Sequence, residues 1–223
     1  GPGKGPTAKV VTFETASRNG EPFEAAIAKH GVFCKSHPQC TSRLKSEPMQ
    51  WYRENVIGWE RGTYKTAIGI RRDEMIRISR MADEQGFVYP LVDAGYRKRD
   101  VNLFMAQFDW DLKLPSDAYG NWVWCWKKSY RKLMTVAKEN PEVFDFPDRM
   151  ERKYGMVNKG KKTMLQPRTF FRERHSARDI LRRSVTEDFV HYEDEIFATA
   201  EFYDEVLDAG TSSGESCEIG ADD

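Results

Sequence analysis

The chain has 223 residues, 39% apolar and 13% aromatic, enough for one sizeable domain and a tail. No apolar run approaches the roughly 18 residues of a membrane helix, and four cysteines are too few for a disulfide framework, which points to a reducing cytoplasm. The formal net charge of zero hides a split: residues 1–183 hold all 35 Lys and Arg, whereas residues 184–223 hold 13 Asp and Glu and no Lys or Arg. A basic body of this kind selects anionic partners, namely nucleotide, phosphosulfate or nucleic acid. The acidic segment reads as a solvated acidic helix, or else as one that folds back on that body or repels nonspecific polyanions.

In chain order, Lys9–Phe13 reads as a short strand, and residues 21–30 as a helix with Phe23, Ala26 and Ile27 at helical spacing. Ser46-Glu-Pro48 reads as a helix start, because proline is tolerated in a first turn. Residues 63–71 read as a strand, 73–83 as a helix and 89–92 as a second strand. Asp100 is placed to cap a helix carrying Val101, Phe104 and Phe108. Residues 122–139 read as one helix stopping before Pro141, followed by a short helix within 141–154 that is interrupted around Pro147. Ser176, with Asp179 three residues on, forms a capping box for residues 177–183. Residues 185–207 read as an amphipathic helix, and residues 210–223 as a flexible end. Strands interleaved with helices argue for an α/β chain with a mostly parallel sheet, turning helical after about residue 97.

The chemistry-bearing residues sit in three stretches. Cys40-Thr-Ser-Arg-Leu-Lys-Ser-Glu-Pro48 and Gly120-Asn-Trp-Val-Trp-Cys-Trp-Lys-Lys-Ser-Tyr-Arg-Lys-Leu133 each set cations close behind a cysteine. Nearby cations stabilise a thiolate, which can then ligate a metal or attack sulfur. Between them, Ala67-Ile-Gly-Ile-Arg-Arg-Asp-Glu74 reads as a buried strand delivering an Arg-rich loop at its C-terminal end, the edge at which open α/β sheets bind ligands.

With Tyr89-Pro-Leu91, Phe144-Asp-Phe-Pro147 and Arg168-Thr-Phe-Phe-Arg172, these stretches resemble the phosphoadenosine phosphosulfate reductase-like proteins, in particular their phage and prophage branch. The resemblance runs in family order from about residue 7 to residue 183. It implies an adenine-nucleotide alpha-hydrolase-like parallel sheet, here partial, with a helical C-terminal subdomain from about residue 97, followed by an acidic helix and tail over 184–223. Two departures accompany it. No Ser-Gly-Gly-x-x-Ser phosphate loop is present, so an N-terminally incomplete domain is expected. Cys217 lies in Gly-Glu-Ser-Cys-Glu rather than in the reductases' Glu-Cys-Gly-x-His.

The expected sites follow. Arg43, Lys45, Arg71, Arg72, Lys127, Lys128 and Arg131 are the candidate anion binders, since Arg offers a bidentate fork and Lys a compact charge, and Arg72 and Lys128 fit ordinary surface cations as well. Glu74 and Arg77 are expected to form an ion pair that orients Arg71. Cys40 and Cys125 are the candidate catalytic thiols. With Cys34 they form a candidate metal set, for an iron–sulfur cluster by resemblance or zinc as the alternative, with His37 as a further ligand. His30, His175 and His191 are isolated and read as structural. Arg168, Arg172, Arg174 and Arg178 interleave with Phe170 and Phe171, which suits either core packing or nucleic acid.

The expected function is a phosphoadenosine phosphosulfate reductase-like or sulfurtransferase-like protein of the host cytoplasm, binding adenine nucleotide or phosphosulfate and inactive alone without the phosphate loop. Two alternatives stay open. One is a noncatalytic accessory protein or split-protein half working with an N-terminal half or a sulfur or electron donor protein. The other is a nucleic-acid-associated phage protein.

Overall fold

The computed structural model describes residues 8–110, 114–120, 122–158 and 166–193. The described residues divide into two compact units, one built on residues 47–110 and the other on 10–46 together with 114–193. The segment carrying residues 97–110 therefore belongs to the first unit. Among the described residues no helix is long and apolar enough to cross a membrane.

The second unit holds the main core. Helix α1 (Glu21–His30) opens with Pro22 in its first turn, a position where the missing N–H costs nothing, and buries Phe23, Ile27 and His30. It ends on Gly31 at φ 88° and ψ 172°, backbone open essentially to glycine alone. A Cβ there would collide with the Val157 carbonyl oxygen and stand 2.6 Å from Arg168 Nη1, so the close approach also needs glycine. Phe23 then sits among Phe33, Trp122, Trp124, Phe146 and Phe170, with ring centroids 4.4–6.2 Å away, mostly edge to face.

Among the described residues of this unit three further α-helices pack on it: α5 (Tyr130–Glu139), α6 (Asp145–Tyr154) and α7 (Ala177–Thr186). Helix α5 starts eight residues later than the apolar pattern suggests. Residues 122–128 form turns that pack the tryptophans, and the Ser129 hydroxyl accepts the Lys132 N–H to cap the helix. Helix α6 runs uninterrupted, because Pro147 falls in its first turn, where no intrahelical donor is lost. The capping box of α7 forms as the spacing suggests: Ser176 Oγ accepts the Asp179 N–H at 3.1 Å, and Asp179 Oδ2 accepts the Ser176 N–H at 2.9 Å. Helix α7 stops at Thr186, so the expected helix over 185–207 is absent through residue 193; its remainder, Cys217 and the end segment 210–223 lie outside the described residues. The strand expected at Lys9–Phe13 is instead irregular chain entering a turn closed by Ala16 N–H to the Thr12 carbonyl at 2.9 Å.

A helical stretch begins at residue 40, earlier than Ser46. It is π-helical over Ser42–Ser46, α-helical over α2 (Glu47–Tyr52) and π-helical again over Arg53–Ile57. Pro48 has no N–H to give, and the turn before it widens. Gly58, at φ 80°, ends the stretch.

In the first unit, β1 (Thr66–Ala67) and β2 (Phe87–Val88) pair in parallel, Thr66 opposite Phe87 and Ala67 opposite Val88. The Ile68 N–H extends the ladder to the Val88 carbonyl at 2.9 Å. The first strand is shorter than the pattern over 63–71 suggests, and the second lies just before the expected 89–92, which holds no strand. Pro90 makes that stretch a helix start, α3 (Pro90–Asp93), and residues 73–83 supply only a 3-10 turn at Arg72–Arg77. Ile70, Tyr89 and Val92 form a small core against Ile68, Ile78, Ala82 and Phe87, and the Tyr89 hydroxyl accepts the Ser79 N–H at 3.0 Å. Helix α4 (Lys98–Met105) starts before Asp100, whose carboxylate caps backward by accepting the Arg97 N–H at 2.8 Å.

Candidate anion-binding site

The parallel pairing sends both strands out of the sheet at the same edge. The chain leaves β1 through buried Ile70 into Arg71 and Arg72, and leaves β2 through Tyr89 and α3 into Tyr96 and Arg97. The two exits are tied by the Arg72 N–H, which donates to the Tyr96 carbonyl at 2.8 Å. Arg72, Arg97 and Arg99 are exposed here, and Tyr96 keeps 49% of its surface.

Arg71 itself is occupied. Its guanidinium makes a forked contact with Asp73 at 3.1 and 3.2 Å and reaches Glu74 at 3.4 Å, while Arg77 pairs with the other oxygen of Glu74. The network expected among Arg71, Glu74 and Arg77 is thus present, but it neutralises Arg71 and makes it a brace. Arg72, which looked like an ordinary surface cation, and Arg97, which nothing in the sequence singled out, carry the open charge. Tyr96 and Arg97 are visible only once the parallel register brings residue 96 beside residue 72.

The second unit holds the other candidates. Arg43 and Lys45 lie in the π-helical Ser42–Ser46, with Lys45 exposed. Arg43 and Arg168 stand close enough to His37 to hold its pKa down, after the larger effect of burial. Lys127 lies over the Trp126 ring at 5.5 Å. Arg131 lies over the Tyr192 ring at 5.4 Å and donates to the His191 carbonyl at 3.3 Å. Lys128 corrects its expected role. It is 1% exposed and donates to the carbonyls of Ala118 and, at 2.6 Å, Gly120, so it fastens the Asp117–Tyr119 turn from inside the unit.

The thiols do not assemble as expected. Cys40 is buried in the main core. Cys34 is also buried, its Sγ 3.3 Å from Ser36 Oγ, and its backbone pairs with His37. His37 Nε2 lies 2.9 Å from the His30 carbonyl, so that nitrogen is engaged. Cys125 is half-buried in the turn before α5. Among the described residues no three His, Cys, Asp or Glu side chains, Cys34, Cys40 and Cys125 included, converge as a metal-ligand set.

One ionisable group at the centre of this unit escaped the sequence reading. Glu151 on α6 is buried and accepts the N–H groups of Phe170 at 2.7 Å and Ala177 at 2.9 Å. Burial pushes its carboxyl up to about 7. The available signal was its position: it shares the helix face of Pro147, Met150 and Tyr154, where an apolar residue would ordinarily stand.

No family model matches the chain, and no solved structure matches it. A protein of Escherichia phage lambda described as "Uncharacterized nin region protein ORF290" is similar to it, with 33% identity over 119 residues. The match covers 53% of this chain and 39% of the phage protein, so the chain spans about two fifths of the length of this curated relative.

Proposed function

We propose that the chain binds the anionic part of an adenine nucleotide or of its phosphosulfate, in the manner of a phosphoadenosine phosphosulfate reductase-like or sulfurtransferase-like protein. The observation that carries the reading is the parallel β1–β2 pair, which brings the Arg71–Arg72 and Tyr96–Arg97 exits together at one sheet edge. Ligands of open α/β sheets collect at that edge because the loops leaving the strands diverge there. Arg72 and Arg97 supply forked donors to phosphate or sulfate oxygens. The Asp73–Arg71–Glu74–Arg77 network holds the first loop in place. Tyr96, half exposed beside them, offers a ring face for an adenine base. The similarity to a phage protein agrees with the phage branch of the resemblance and speaks to origin alone.

Calorimetric titration with ATP and with adenosine phosphosulfate tests the reading. Each should bind, and Arg72→Ala combined with Arg97→Ala should weaken binding by about 100-fold or more, as expected for the loss of two charge-assisted contacts worth a net ~1.5–3 kcal/mol each. Arg71→Ala should act indirectly, weakening binding less while loosening the loop. Failure of both ligands to bind, or equal binding by the double variant, would reject the site.

A further inference from the structure

Through residue 193 the chain after α7 stays against the second unit. Residues 187–193 run along α5 as a strap, held by contacts of one repeated kind. The Tyr192 ring lies under Arg131 at 5.4 Å and Lys132 at 4.8 Å, and the Phe189 ring lies under Lys138 at 5.6 Å. The Tyr192 N–H donates to Thr135 Oγ1 at 2.8 Å, Arg131 donates to the His191 carbonyl, and His191 Nε2 stands 3.2 Å from Glu139. Lys132 is left 7% exposed. The strap is also acidic: Glu187, paired with Arg183 at 2.9 Å, and Asp188 and Glu193 flank its two rings, and residues 194–223 add ten Asp and Glu and no Lys or Arg.

We infer that the α5 face carrying Arg131, Lys132 and Lys138 is a binding surface for single-stranded nucleic acid, and that the strap masks it by imitating such a strand. Flat rings and negative charges alternating on an extended backbone are what a single strand presents, and cations over ring faces with nearby anions are how such strands are held. Arg131 and Lys138 are seven residues apart, about 10 Å along the helix, so the face spans more than one phosphate. A lone phosphate would engage only part of it. Cation–ring contacts are worth about 0.5–2 kcal/mol each, and a polyanion able to release counterions can displace them. The inference is independent of the nucleotide reading, since every residue in it belongs to the second unit.

The test is binding of a labelled single-stranded oligodeoxythymidylate at low salt, followed across a salt series. Phe189→Ala with Tyr192→Ala breaks the grip and leaves the charge of the chain unchanged, so any gain is not reduced tail repulsion. Affinity should rise about 10-fold and the salt dependence should steepen, each newly engaged cation adding roughly 0.7 to the slope. Adding Arg131→Ala and Lys138→Ala in that background should abolish the gain. Thr135→Val, which removes only the anchor for the Tyr192 N–H, should give a smaller gain and guards against misfolding of the double variant. Unchanged affinity in both strap variants, or a gain that survives loss of Arg131 and Lys138, would overturn the inference.

Discussion

Glu151→Ala should lower the folding free energy by roughly 3–5 kcal/mol, read from the denaturant midpoint. Two buried N–H groups lose their acceptor, at about 1–3 kcal/mol each, and a cavity opens beneath α6. The Phe170 N–H belongs to the segment carrying the core rings, and the Ala177 N–H to the first turn of α7. One carboxylate therefore joins α6, the ring segment and α7. The same group makes stability depend on pH. Its folded pKa is raised, by burial, from the ordinary 4.5 to about 7, so the folded state binds the proton more tightly than the unfolded state. Its contribution is fully present below about pH 4.5 and is lost as pH rises through about 7, on the order of 3 kcal/mol in all. Burial of His37 lowers its pKa and works in the opposite sense as pH falls below about 6.5. The difference between the wild type and Glu151→Gln cancels that term. Thermal melts from pH 5 to 8, as a range of about three units, should show the wild type losing stability relative to Glu151→Gln. Parallel pH profiles would show that Glu151 titrates alike in both states.

Lys128→Met should cost about 2–4 kcal/mol, although it removes a charge from an interior. The methionine keeps the apolar stem, but the Ala118 and Gly120 carbonyls lose their donor. Breaking a buried polar contact from one side is costly because the abandoned partner stays buried. Heating should release the Asp117–Tyr119 turn first, so limited proteolysis at that turn should accelerate in the variant. Unchanged stability and proteolysis would mean that the buried amine is dispensable.

These two residues also mark where sequence reading stops. Helix α1 and the Ser176–Asp179 cap were legible because each rests on residues within one turn of one another. The Glu74–Arg77 pair was legible for the same reason, by its three-residue spacing. Lys128 and Glu151 were not, because their burial depends on carbonyls and N–H groups far along the chain, and charged residues ordinarily lie outside. Residues 122–128 carry a helix-compatible composition, yet Trp122 and Trp124 are worth more packed against Phe23 than arranged on a helix. Phe189 and Tyr192 have helical spacing too, but their rings are taken by α5 cations along an extended strap. The Arg-rich exit from β1 was legible as a loop after a strand. Its division of labour, with Arg71 braced and Arg72 open, depended on which carboxylates the turn brought within reach.

The central claim is that an anionic nucleotide seats at the edge where β1 and β2 deliver Arg72 and Arg97. Nuclear magnetic resonance of the isotope-labelled chain, titrated with ATP, locates the ligand residue by residue. Backbone amide shifts should concentrate at residues 70–72 and 95–99, move together along one saturating curve, and leave α5–α7 unmoved. Shifts absent at saturating nucleotide, or confined to residues away from that edge, would contradict the account.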